Sequence, residues 1–281
     1  MKKTHPFLLL LFGVLAVLLL LPIAVTVMYS FFSPEEIRGF MDRRNQYRDA
    51  FMEIKLIPRM ISLDQYETIL IHDTSILHYC MNSLSYAALV ITGQMIIIPA
   101  LAYALSRYEF PFRDLINFVL IILFLLPFQV TMVSNVLTLR SLGLMNTRWA
   151  IILPEIASPF YVFLLRQYMV AIPGDMFEAA QMDGAGPVYC YWTIAIPVSV
   201  PILSAAAALS FADCWNLVEQ PLAYLTNRQD LYPLSLVFNQ LTQKSTGTEF
   251  AGAALYLIPA LCVYLFFQDD IISGIQLTEL K

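Results

Sequence analysis

Charge is scarce in this chain. Asp, Glu, Lys and Arg make up 13% of its 281 residues, about half the ~25% of a soluble domain. With 59% hydrophobic residues and a mean hydropathy of +0.68, the composition is that of an integral membrane protein. Histidine is scarcer still. His5, His72 and His78 are too scattered for a metal or acid–base site, and no HExxH occurs. None of the ten glycines is followed by lysine, so no GxxxxGK-S/T loop cradles a phosphate, and no GxSxG elbow is present. The chain thus offers no catalytic residue, no metal site and no cofactor of its own. It is not an enzyme. Cys80, Cys190, Cys214 and Cys262 form no CxxC and read as small buried apolar residues. A net charge of −5 with no basic run leaves nothing to neutralise phosphates, which argues against a nucleic-acid partner.

What the chain has is long apolar runs. They cover about 7–32, 77–105, 115–137, 149–170, 197–217 and 250–267. The first exceeds the 7–15-residue core of a signal peptide and reads as a retained span kinked at Pro22. Pro127 interrupts the third, and Pro154 and Pro159 lie in the fourth. Runs of about 20 residues rising 1.5 Å each cross a ~30 Å hydrocarbon core. The expected fold is therefore all-α, a polytopic membrane protein with six transmembrane helices forming a single domain over residues 1–281. Residues 33–76 are the most polar part, and Asp42 to Arg59 reads as one amphipathic surface helix. Leu231 to Thr242 reads as a short amphipathic or re-entrant segment.

One polar interruption, residues 171–196, carries most of the information. Pro173-Gly174 is a turn dipeptide. Asp175 is placed to cap a helix, with Glu178 three residues on in the capping-box position. Gly184 and Gly186 stop that helix, and Pro187 opens the next. A helix of about two turns does not stand alone in water, so it requires tertiary contacts or a partner. Met176, Phe177 and Ala180 share a face with Gly184, an apolar knob for docking.

Glu178-Ala179-Ala180, three residues, Gly184, nine residues, Ile194, one residue and Ile196-Pro197 together resemble the EAA loop of binding-protein-dependent ABC importer permeases. The family has Leu where Ile196 stands here. Asp183-Gly184-Ala185 fits the carbohydrate-uptake branch, and the whole resembles the smaller permease of maltose-type systems. Tyr103 to Pro111 resembles the family's first cytoplasmic turn, with Phe112 where the family often has Gly. Leu139 to Thr147, and Trp215-Asn216 followed by Pro221-Leu222, also resemble it. The resemblance covers the chain from about Leu77 onward.

That resemblance implies a permease subunit that translocates a sugar or related solute delivered by an extracytoplasmic binding protein. Its partners would be a second permease in a heterodimer, two ABC ATPase subunits that hold ATP and Mg, and membrane lipid. Residues 171–196 become the cytoplasmic coupling loop, and Asp175, Met176, Phe177, Glu178, Ala179, Ala180, Asp183 and Gly184 the ATPase-coupling residues. The location would be the bacterial inner membrane, with 33–76 extracytoplasmic and both termini cytoplasmic. Loop charge does not give this orientation by itself, because only Lys2, Lys3, Arg107, Arg113, Arg166 and Lys281 would face inward.

A charge at mid-bilayer costs about 2.5–3.5 kcal/mol on insertion scales and faces protein or water. Asp213 is the strongest such residue, with Asn216 on the same helical face, so Asp213, Trp215 and Asn216 are the substrate-path candidates. Glu155 lies near the outer end of the fourth span, while Gln94, Asn117, Gln129 and Asn135 suit bonds between helices. The alternative function is an ion-coupled secondary transporter with Asp213 in the path, which would require inverted repeats and broken helices around midplane carboxylates. Ser204 to Ala208 and Ser210 give the fifth span a small-residue surface for close helix packing.

Overall fold

The computed structural model describes residues 6–39, 58–72, 75–241 and 248–276, and among these every regular element is helical. The principal elements are α1 (Pro6–Tyr29), α2 (Ser75–Arg107), α3 (Arg113–Leu125), α4 (Phe128–Ser141), α5 (Trp149–Ile156) and α6 (Pro159–Ala171). They continue as α7 (Gly174–Met182), α8 (Pro187–Val198), α9 (Val200–Trp215), α10 (Glu219–Tyr224), α11 (Leu234–Leu241) and α12 (Glu249–Gln276). Four stretches are long and apolar enough to cross a bilayer: Leu8–Tyr29, Ser75–Arg107, Trp149–Ala171 and Glu249–Ile271. The α3–α4 and α8–α9 pairs reach that length only across bends of 107° and 71°. The described residues therefore hold four stretches fit to span by length and composition, or up to six when each bent pair is one span.

Proline sets the breaks. A proline lacks the N–H for the carbonyl four residues back and pushes its predecessor toward extended backbone. Leu126 is extended (φ −74°, ψ 125°) before Pro127, where α4 begins. Ser158 is extended (φ −61°, ψ 115°) before Pro159, the first residue of α6. Pro201 stands in the first turn of α9, just after the Ser199 bend. Pro187 opens the next helix as expected, ten residues before the fifth apolar run begins at Pro197, and that helix passes through a π-helical turn at Tyr191–Ala195.

The chain divides into two compact units, Met1–His78 with Val237–Pro259, and Tyr79–Leu236 with Ala260–Lys281. In the first, every residue of α1 from Leu8 to Ala24 is exposed, as suits an apolar rod facing hydrocarbon. Its end is pinned by packing of Tyr29, Phe32 and Ile37 with Phe250. The buried Gln65 amide donates to the carbonyls of Tyr29 (2.9 Å) and Phe32 (2.7 Å), and its oxygen accepts from the Ala251 N–H (3.2 Å). One side chain thus ties the end of α1 to the start of α12 through three backbone groups, and the Tyr29 carbonyl also accepts the Phe32 N–H at 3.1 Å. The Asp42–Arg59 helix of the sequence reading lies almost wholly outside the described residues, as does Thr242.

In the second unit, α3 lies along α6, with Phe124 and Phe160 rings 5.1 Å apart. The main core joins the C-terminal part of α2 (Ile98, Tyr103) to α6 (Leu165, Met169), α8 (Cys190) and α9 (Ala206). At the other end of α2, the Asn82 amide donates to the carbonyls of Asp230 (2.8 Å) and Tyr232 (3.1 Å), and the Tyr86 hydroxyl to that of Leu231 (2.7 Å). These bonds hold the 230–232 turn that leads into α11, and residues 231–237 are buried. Cys190 and Cys214 are buried as expected. Cys262 is exposed on α12, against the expectation, because it stands on an apolar outer face rather than in the core.

Candidate functional site

Two features of the second unit concentrate polar chemistry. The first is α7 and its flanks. The helix begins at Gly174, immediately after Pro173, so Asp175 falls inside the first turn and makes no side-chain cap bond. The capping box expected of Asp175 and Glu178 is therefore absent. Both carboxylates are exposed near the positive end of the helix dipole instead. The stop is as the glycine requires. Gly184 adopts φ +84°, its N–H bonds the Gln181 carbonyl (2.9 Å), and the Ala185 N–H bonds the Ala180 carbonyl (2.9 Å). These two bonds make a Schellman motif, which favours glycine at the left-handed position.

Phe177 does not share the exposed face expected of it. It is 6% exposed and sits in the main core, with its ring 6.3 Å from that of Tyr103. Met176 and Met182 are exposed at 43% and 89%, and Glu178, Ala179 and Asp183 are exposed with them. Ala180 is half-buried against the core. The helix is thus anchored through Phe177 and presents an acidic and methionine-bearing face outward. A cavity of about 360 Å³ adjoins its end, lined by Ala180, Asp183, Gly184 and Tyr189 among others.

The second feature is a cavity of about 600 Å³ lined by Glu155, Asp213, Asn216, Glu219 and Gln220. It collects groups from beside the α5–α6 break, the end of α9 and the start of α10. Each carboxylate takes a protein donor. The Tyr161 hydroxyl donates to Asp213 Oδ2 at 2.6 Å, and the Gln220 amide to Glu155 Oε1 at 3.2 Å. The Gln129 amide, just beyond the α3–α4 break, reaches both Glu219 oxygens at 2.9 Å. The buried Gln94 amide donates to the Glu155 backbone carbonyl at 2.8 Å, filling an acceptor that the helix break leaves open. Asp213 and Asn216 both face the cavity. Trp215 is buried behind them and stacks on Phe211 at 5.6 Å. Among the described residues no three His, Cys, Asp or Glu side chains converge as metal ligands.

Residues 75–269 match the family described as the binding-protein-dependent transport system inner membrane component. The chain belongs to that family. It is a membrane permease subunit of an ABC importer, a multi-pass protein of the bacterial inner membrane that works with ATPase and binding-protein partners. The ion-coupled alternative is not favoured. Among curated relatives of this permease, the diacetylchitobiose uptake system permease protein of Streptomyces coelicolor is 31% identical over 73% of this chain and 70% of its own. The arabinooligosaccharides transport system permease protein of Halalkalibacterium halodurans is 28% identical, covering 71% and 72%. The sn-glycerol-3-phosphate transport system permease protein of Yersinia enterocolitica is 26% identical, covering 70% and 72%. The fold matches a bacterial ABC transporter involved in the import of the acidic polysaccharide alginate, with a TM-score of 0.77 over 92% of this permease and 93% of that chain at 23% identity.

The residues that sequence reasoning missed are those acting over long separations. Tyr161 and Gln220 became partners of Asp213 and Glu155 only through the fold. The signal available was weak: a tyrosine two residues after Pro159, and a glutamine beside the Trp-Asn stretch.

Proposed function

We propose that this permease is one of two membrane subunits of a sugar importer, paired with a second permease and served by two ATPase subunits that hold ATP and Mg. The two units act as a single transmembrane domain of six spans, counting α3–α4 and α8–α9 as one each, with both termini cytoplasmic. In this reading α7 is the cytoplasmic coupling helix. Asp175, Met176, Glu178, Ala179, Asp183 and Gly184 meet the ATPase, while Phe177 and Ala180 fix the helix to the membrane part.

The observation that carries the reading is α7 itself, a nine-residue helix with a buried aromatic anchor and an outward acidic face. A helix that short has little stability of its own, so its orientation is fixed by the core beneath it. ATP-driven closure of the ATPase pair would move it as a rigid body and switch access to the solute path. Asp213 and Asn216, backed by Trp215, line that path. Carboxylates and amides facing one cavity accept hydroxyl hydrogen bonds, which suits a polyhydroxylated solute. The relatives named for diacetylchitobiose and arabinooligosaccharides support that class.

The test is co-purification with cross-linking. Membranes from cells expressing the tagged permease with its neighbouring importer genes should yield an ATPase bearing a Walker A motif. Ala179→Cys should cross-link to a cysteine in that ATPase. A label at Ala179→Cys that reacts only from outside the cell ends this reading.

A further inference from the structure

The cytoplasmic end of α2 grips the α7 loop at both of its ends. Arg107, the last residue of α2, donates from one Nη2 to the carbonyls of Met169 and Ile172, each at 2.6 Å. Those carbonyls belong to the last turn of α6 and the residue beyond it, where the Met169 carbonyl takes a long 3.4 Å backbone bond from the Ile172 N–H. The guanidinium also lies 4.1 Å from the centre of the Phe177 ring, within the range of a cation–π contact. One turn earlier on the same face, the Tyr103 hydroxyl donates to the Pro187 carbonyl at 3.3 Å, and its ring lies 5.3 Å from that of Tyr191. Arg107 therefore holds the entry to the loop and Tyr103 holds the exit. The two ends are eighteen residues apart in sequence, from Met169 to Pro187.

We infer that α2 is a transmission element, and that Arg107 is the positioning residue that makes it move with α7. This rests on the reading of α7 as the ATPase-docking helix. The covalent attachments of α7 lead only to α6 and α8. The Arg107 bonds add a third lever of 33 residues, spanning from the loop to the Asn82–Tyr86 end of the same helix. Charge-assisted bonds are shorter and stronger than neutral ones, and a planar guanidinium meets two carbonyls and a ring face at once. Lysine keeps the charge but lacks the flat guanidinium face that covers the Phe177 ring while its nitrogen bonds both carbonyls. Arg107 is thus a fixed joint between α2 and the loop.

The experiment uses the whole importer, with spin labels at Glu109→Cys, beyond α2, and Gln181→Cys on α7, after Cys80→Ala and Cys262→Ala. Electron paramagnetic resonance reads the label separation without nucleotide and after trapping with ATP and vanadate. With Arg107 present the separation should be the same in both states. In Arg107→Gln and Arg107→Lys it should change between states, and solute moved per ATP hydrolysed should drop about tenfold while the ATPase still co-purifies. A separation that changes between states with Arg107 intact overturns the joint, and so does full coupling in Arg107→Gln. Tyr103→Phe, which removes one hydroxyl and keeps the ring, should hold the separation constant; a change there equal to that of Arg107→Gln would also overturn the assignment to Arg107. Failure of the underlying reading looks different, since no ATPase would then co-purify with any variant.

Discussion

The Tyr161 hydroxyl and the Asp213 carboxylate are joined by a 2.6 Å hydrogen bond that ties α6 to the end of α9 beside the larger cavity. Asparagine at 213 keeps an acceptor for Tyr161 and removes only the charge. Asp213→Asn should leave the amount of protein in the membrane unchanged and lower solute uptake about tenfold, the equivalent of one charge-assisted bond of ~1.4 kcal/mol. Uptake by whole cells, set against immunodetected protein, checks this. Normal transport affinity at reduced protein level would assign Asp213 to structure alone.

Gly184 holds φ +84° with open space around its α-carbon, so strain rather than collision governs substitution there. Placing an L side chain in the left-handed region costs about 1–2 kcal/mol. Gly184→Ala should fray the end of α7 and reduce the ATPase recovered with the permease, with little effect on thermal stability of the membrane part. Pull-down yield beside a melting curve separates the two effects.

Phe112 is the converse case. It adopts φ 69° before α3 and is 73% exposed, so a bulky residue occupies a conformation that glycine takes freely. Relief of about 1–2 kcal/mol of strain outweighs the 0.5–1 kcal/mol entropic cost of glycine. Phe112→Gly should therefore raise the stability of the purified permease by about 0.5–1 kcal/mol. A lowered melting temperature contradicts it.

Gln65 satisfies three backbone groups at once. Gln65→Leu removes three hydrogen bonds, worth about 0.5–1.5 kcal/mol each. The first unit should loosen, giving faster proteolysis and hydrogen exchange near Tyr29 and Ala251. Protection at those sites equal to that of the unaltered chain would count against the latch.

Phe177 and Met182 differ sharply in exposure, and the proposed role of α7 gives their substitutions different outcomes. Phe177→Ala empties a packed position and should cost about 3–5 kcal/mol of stability. Met182→Ala, at 89% exposure, should leave the melting temperature unchanged and weaken ATPase association. Equal melting losses in the two variants would erase the distinction.

Several of these features were legible in the sequence. Apolar runs located four stretches long enough to cross a bilayer, because hydrocarbon thickness sets their length, while two more are bent, one of them at Pro127. Gly184 announced the end of α7 through its backbone freedom. The side chain of Phe177 was misread, because a helix pattern tells which residues share a face but not which face meets the core. Asp175 failed as a cap because the cap position falls at Pro173 and the helix starts two residues early, at Gly174. The bonds of Gln65, Asn82 and Arg107 reach across 36, 148 and 62 residues, separations over which local pattern carries no information.

The uniform apolarity of α1 has its own consequence. A rod that is greasy on every side, from Leu8 to Ala24, has no azimuth to prefer. Whatever interchange of leucine, valine or isoleucine preserves its length leaves it equally at home in lipid, whereas Tyr29 and Phe32 just past it meet a packed neighbour in Phe250 that punishes a change of shape.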